Sequence, residues 1–199
     1  MSPIKPKSYD DARTYSESME KLPAGAYVVK TQNARIDSYP KDGVSFEKLI
    51  IAFDIVEGDY AEHFKKIYDG TTGENKKWKG TIRLSIPGED EDADSISNRM
   101  HKTCMTALED SNPGWHHQWL EDSAQYAAQF KNLTVGAVFR DREYNFDGRQ
   151  GMYTECLRFA DVEKVRNGEV KTPEPKYLDG NAPKPTQAAP DDDDSDSPF

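Results

Sequence analysis

Cysteine is nearly missing from this chain. Of 199 residues only Cys104 and Cys156 carry thiols, and neither sits in a metal-binding or redox spacing. That excludes a cysteine-dense scaffold and a CxxC-type centre, and it predicts two buried free thiols in a reducing compartment. Long apolar runs are missing too. None approaches the roughly 20 residues that a membrane-spanning helix requires, and Met1-Ser2-Pro3-Ile4-Lys5-Pro6-Lys7 lacks the apolar stretch of a secretory signal. A cytoplasmic location is expected. Apolar residues make up only 35% of the chain, with a mean hydropathy of −0.90. The shortage has an address: beyond residue 170 almost nothing is left to bury, while the preceding stretch holds nearly all the aromatics and is long enough for one core. No phosphate loop, nucleophile elbow or HExxH occurs, so no cofactor and no enzymatic activity are expected.

Positive charge is also in short supply, with 26 Lys and Arg against 36 Asp and Glu for a net charge of −10. The deficit is uneven. Residues 171–199 hold three basic and seven acidic side chains, and residues 88–122 hold two and nine. Those stretches carry −4 and −7, which leaves about +1 for the rest and room for a locally positive face.

What is present reads mainly as β-structure. After a polar arm with a short helical possibility over 10–21, residues 26–36 alternate with period two and are rich in β-branched and aromatic side chains. Tyr39-Pro40-Lys41-Asp42-Gly43 reads as a turn cluster with Asp-Gly as its hairpin signal, and 46–56 as the next strand. Residues 64–68 and 80–86 read as two short extended runs around a loop. Ser95 is a plausible N-cap for a helix with Ile96, Met100, Thr103, Cys104, Ala107 and Leu108 on one face, ending before Asn112-Pro113-Gly114. Residues 115–130 are aromatic and partly helical. Strands over 133–144 and 152–165 close the series through a hairpin turn read at Asp147-Gly148-Arg149-Gln150-Gly151, with a bend or bulge suggested by Gly136. The order is three strands, a helix and two strands. It predicts a mainly β, OB-fold-like five-stranded barrel with a helix between strands 3 and 4.

The tail is the sharpest signal. From Lys171 the chain is rich in Pro, Ala, Gln and Lys, a composition unable to offset its ordering entropy, and it finishes Asp191-Asp192-Asp193-Asp194-Ser195-Asp196-Ser197-Pro198-Phe199. Phe199 can enter an apolar pocket on a partner while its α-carboxylate and the aspartates meet Lys and Arg on the rim. The expected divisions are an arm over 1–21, the folded domain over 22–170, a disordered linker over 171–190 and a partner-binding tip over 191–199. Such a tip resembles that of the single-stranded DNA-binding proteins of bacteria and phages. The body is similar to a group of such phage proteins from Gram-positive hosts, on Leu22-Pro23-Ala24-Gly25-Ala26-Tyr27, Ala52-Phe53-Asp54-Ile55-Val56-Glu57-Gly58-Asp59-Tyr60, Glu109-Asp110-Ser111-Asn112-Pro113-Gly114 and Val138-Phe139-Arg140. The resemblance implies a role in replication or recombination of phage DNA, with enzymes of those processes recruited through Asp191, Asp192, Asp193, Asp194, Asp196, Pro198 and Phe199.

Sequence-tolerant binding of a single strand needs cations for phosphates and aromatic faces for bases. Candidates interleave: Tyr39 and Lys41; Lys65, Lys66 and Tyr68; Lys76, Lys77, Trp78, Lys79 and Arg83; and Arg140, Arg142, Tyr144, Phe146 and Arg149. Tyr27, Phe53, Phe139 and Phe159, amid apolar neighbours, are read as core, whereas Trp78, boxed by lysines, is read as a binding residue. His116-His117 invites a metal, but sequence neighbours point apart and no second ligand pair has suitable spacing. Trp115 and Trp119 are read as packing against the barrel. Three other readings compete, one of them a strand-annealing protein, which would form multimeric rings and promote pairing of complementary strands. Asp54, Glu57 and Asp59 with Lys65 or Lys66 resemble the cluster of a metal-dependent nuclease, and the acidic run at 89–94 suits a DNA mimic that inhibits an enzyme.

Overall fold

A computed structural model of the chain describes residue 5 and residues 21–41, 44–73 and 76–178. The remaining arm, including most of the helix expected over 10–21, lies outside the described residues, as does the tail from residue 179 with its whole tip.

Five antiparallel strands form one open sheet in the order β3-β2-β1-β4-β5: β1 (Gly25–Lys41), β2 (Val44–Ile55), β3 (Thr81–Ser85), β4 (Thr134–Phe146) and β5 (Arg149–Ala160). The helices are α1 (His63–Gly70), α2 (Ile96–Ser111), α3 (Ser123–Ala128) and α4 (Val162–Arg166). Among the described residues no ladder joins β3 to β5, so the expected closed barrel is replaced by an open sheet. That sheet is strongly curled. Four strand spacings would hold the edges of a flat sheet about 19 Å apart, yet residues of β3 and β5 come within 8 Å, Cα to Cα. Helix α2 packs against β3, β4 and β5 and lies over the opening between the edges.

Alternation dictates which face is inside. Val29, Leu49, Ile51, Phe53, Ile55, Ile82, Leu84, Val135, Ala137, Phe139 and Phe159 point inward and meet Cys104, Met105 and Leu108 of α2. Phe53 is the hub, edge-on to Phe64, Phe139 and Phe159. Cys104 is buried and Cys156 half-buried, and both are free thiols. Among the described residues no helix is long and apolar enough to cross a membrane.

Local chemistry explains the boundaries. Ser95 caps α2 by accepting the Asn98 N–H at 3.1 Å, as its position predicted. Asp147 (φ 51°) and Gly148 (φ 73°) alone form the turn between β4 and β5, shorter than the expected 147–151 because Phe146, Asn145 and Tyr144 already pair with Arg149, Gln150 and Gly151. Four further expectations are corrected. Strand β1 does not stop at residue 36 but runs through Tyr39-Pro40 to Lys41, since only Asp42-Gly43 separates its last pair with β2, Lys41 and Val44. Residues 64–68 are helix, because buried Asp54 accepts the Phe64 and Lys65 N–H groups at 3.0 Å each and supplies the cap that Glu62 does not. The final strand ends at Ala160, where Asp161 caps α4 by accepting the Glu163 N–H. The bulge expected at Gly136 falls between Val138 and Phe139 instead. Gly136 serves close approach, since a Cβ there would collide with the Val165 side chain and the Ala160 carbonyl.

The stretch read as linker begins with order. Lys176 exchanges backbone hydrogen bonds with Asp141 and Glu143 on the free edge of β4, and the Leu178 N–H donates to the Glu143 carboxylate. That edge is bare because β1 pairs with β4 only up to Phe139. An unpaired strand edge is a ready template for any extended segment, whatever its composition.

Candidate nucleic-acid interface

The predicted residues fall into three groups rather than one groove. The first is the outer face of β1, β2 and β3. Inward alternation of Leu49, Ile51 and Phe53 sends Phe46, Lys48 and Ile50 to the opposite face, and register sets Tyr39 opposite Phe46, Asp37 opposite Lys48, and Ile50, itself buried at 2% exposure, between Arg35 and Arg83. Tyr39 is 42% exposed and Phe46 51%. The Lys48 ammonium stands 5.1 Å from the Tyr39 ring centre. Asp37 organises the patch: it pairs with Arg35 at 2.9 Å and accepts the Tyr39 hydroxyl at 3.3 Å. The Arg35 hydrogen bond holds its carboxyl below the usual range, and Arg83 adds to the effect. Lys48 and Arg83 have no carboxylate within 4 Å among the described residues, so their charge is open to a ligand. Lys41 ends β1 beside this patch.

The second group is the outer face of the β4–β5 hairpin. Arg140, Arg142, Tyr144 and Phe146 alternate along β4 opposite Glu155, Tyr153, Gly151 and Arg149. Phe146 is 78% exposed at the tip. Tyr144 covers the bare backbone of Gly151 and stands 6.2 Å from Tyr153. Both inner arginines are already occupied, for Glu155 receives Arg140 at 2.7 Å and Arg142 at 3.0 Å. Burial works against ionisation of Glu155, but these two hydrogen bonds outweigh it and hold the carboxyl below its ordinary value. This face offers aromatic surface with most of its charge neutralised.

The third group surrounds α1. Lys65 lies 3.5 Å from Asp69 and 3.8 Å from Glu62, while Lys66 donates to the Ala61 carbonyl. Lys76 sits 4.5 Å above the Tyr68 ring, and Tyr68 in turn tilts against Trp78 at 5.7 Å. Lys77 and Lys79 are exposed. Trp78, read from sequence as a binding residue, has a packing role here: its indole N–H is shared between the Phe53 and Gly80 carbonyls and its ring lies on the core.

Three members of the first face were missed: Arg35, Phe46 and Lys48. The signal was available in the Asp-Gly pair, since setting Lys41 opposite Val44 pairs residues whose numbers sum to 85, Tyr39 and Phe46 among them. Ending the first strand at 36 hid that register.

Two of the three carboxylates of the nuclease reading, Asp54 and Glu57, are engaged elsewhere. Asp54 accepts three backbone N–H groups, from Ile55, Phe64 and Lys65, and Glu57 pairs with Arg166 at 2.6 Å. Among the described residues no group of three or more His, Cys, Asp or Glu is placed to hold a metal ion. His117 bonds Tyr126 instead, at 3.0 Å, and Tyr126 reaches buried His101 at 3.3 Å. Trp115 packs on the core as expected, but Trp119 does not: it is 62% exposed. No protein-family model matches this chain, and no curated protein matches it significantly.

Proposed function

We propose that this protein binds single-stranded DNA without regard to sequence, on the outer face of β1, β2 and β3, and protects it during phage replication or recombination in the host cytoplasm. The observation that carries the reading is the cross-strand pair of exposed rings, Tyr39 and Phe46, set beside Lys48 and Arg83, while Arg35 is held by Asp37. Two aromatic residues directly opposite on a solvent face gain nothing for the core. They offer flat surfaces to unstacked bases, at roughly 1–3 kcal/mol per base, while the cations receive phosphates. A duplex keeps its bases stacked internally and would meet only the charges.

The sheet order and the helix after β3 support an OB-type barrel, opened between β3 and β5, and the strand 2–3 face is where OB-folds take oligonucleotides. Asp191, Asp192, Asp193, Asp194, Asp196, Pro198 and Phe199 would then recruit replication or recombination enzymes, the role implied by resemblance of the tip to those of single-stranded DNA-binding proteins.

The test is a titration with fluorescent oligo-dT of about 30 nucleotides, beside a duplex of equal length, at low and high salt. Tight, salt-sensitive binding to the single strand alone supports the proposal. Failure to bind either nucleic acid would overturn it in favour of the acidic mimic, for which the exposed carboxylates of residues 89–94 are the supporting observation.

A further inference from the structure

Trp119 is an exposed ring on a rigid floor. Its indole lies nearly parallel to the His101 ring (5.2 Å between centres, 18° between planes) and to the Tyr126 ring (5.7 Å, 20°). Those two rings are joined edge to edge by the hydrogen bond between the Tyr126 hydroxyl and His101 Nε2, so they form one surface that the indole covers. The His117 ring meets the indole at 4.8 Å and 75°. The floor is itself anchored, His101 by the Ser85 carbonyl at 3.2 Å and His117 through its backbone N–H to the Glu109 carboxylate at 3.0 Å. One face of Trp119 is thus held down while 62% of the residue stays in solvent.

The surroundings are acidic. Glu121 and Asp122 follow Trp119 in the chain, and Glu109 lies against His117. The exposed carboxylates of 89–94 lead directly into the α2 cap at Ser95, about 9 Å along the helix from His101. Arg99 and Lys102 are the only basic side chains between residues 88 and 122, against nine acidic ones. Burial keeps both floor histidines from taking up a proton at neutral pH, with His101 brought down to about 4. The open face of the indole therefore presents the negative lobe of its quadrupole on a segment of net negative charge.

We propose that Trp119 anchors a docking surface for a basic segment of a partner protein, receiving an arginine or lysine side chain on its open face. Tryptophan is the best aromatic partner for such a cation, and the acidic surround draws a basic chain in while turning phosphates away. The surface belongs to α2 and the loop after it, apart from the face formed by β1, β2 and β3, and it does not depend on DNA binding.

The experiment measures fluorescence anisotropy of a labelled peptide of about ten alternating arginines and glycines, titrated with the full chain, with Trp119→Leu and with Trp119→Phe. Leucine keeps an apolar cover over the floor but has no quadrupole, and phenylalanine keeps a weaker one. The acidic tail is identical in all three chains, so the difference between them reads the indole alone. Expected is a roughly two- to five-fold weaker complex for Trp119→Leu, with Trp119→Phe between. Oligo-dT affinity and melting temperature should stay the same. Equal peptide affinity for all three chains overturns the proposal. Loss of oligo-dT binding in Trp119→Leu with peptide binding unchanged overturns it as well, and makes the indole a nucleobase platform.

Discussion

Acidification should destabilise this protein at one identifiable histidine. His101 is 2% exposed, and both ring nitrogens are engaged. The Ser85 carbonyl can only accept, so Nδ1 carries the proton and Nε2 accepts from the Tyr126 hydroxyl, whose oxygen in turn accepts from His117 Nε2. Protonating His101 would put two donors face to face and leave a buried charge among aromatic rings. Burial accordingly lowers its pKa from 6.5 to about 4. The unfolded chain takes up a proton first, so the stabilisation is complete above about pH 6.5 and is lost as pH falls toward 4. With one unit worth 1.36 kcal/mol, the loss reaches about 2 kcal/mol by pH 5 and about 3 by pH 4. For a chain of this size that is a fall in melting temperature of roughly 4–8 °C by pH 5. His117, shifted in the same direction by burial, adds to it. The assay is denaturant unfolding at about pH 7.5 and pH 5 for the native chain and for His101→Gln, whose amide can donate to Ser85 and accept from Tyr126 without titrating. The native chain should lose about 2 kcal/mol more than the variant over that interval. Equal losses, or a His101 ring that titrates near 6.5 by NMR, would refute the reasoning.

Four other outcomes follow from the geometry. Asp54→Ala strands the amides that begin α1 and should cost about 3 kcal/mol or more in urea unfolding; a change under about 1 kcal/mol would mean that Asp54 is not the cap. Tyr39→Ala and Phe46→Ala should each weaken oligo-dT binding roughly 5- to 150-fold with an unchanged melting temperature, and unaltered affinity would remove the ring from the interface. Trp78→Ala should lower stability by about 3 kcal/mol, since it removes packing on the core and the N–H bond to Phe53; a DNA-binding defect in a fully stable variant would refute the packing role and favour the binding one. Glu155→Gln releases Arg140 and Arg142, so affinity for oligo-dT at low salt should rise and its salt dependence steepen; no change in either would place the β4–β5 face off the DNA path.

Legibility of the sequence tracked the range of the forces involved. The order of strands and the main helix, the Ser95 cap and the presence of a hairpin turn at Asp147-Gly148, though not its two-residue length, depend on residues within a few positions of one another, and their periodicity and turn chemistry announced them. The continuous apolar run Leu49-Ile50-Ile51-Ala52-Phe53 likewise announced β2 as a buried strand, though not which of its faces meets the core. What sequence alone could not decide was anything settled by a distant partner. Residues 64–68 became helix because Asp54, ten residues away in chain, caps them. Trp78, seemingly surrounded by lysines, found the Phe53 carbonyl 25 residues away. Arg140 and Arg142 met Glu155 across the ladder. Lys176, in a stretch too polar to fold alone, was ordered by the unpaired edge of β4. Only the pairing of β1 with β2 brought Tyr39 and Phe46 together, and only the fold of α2 against the loop after it left Trp119 flat and exposed. The residue types able to bind were written in the chain. Which of them face solvent together, and which carry charge that is already neutralised, was decided by contacts between segments far apart in sequence, because burial and ion pairing are properties of neighbours in space.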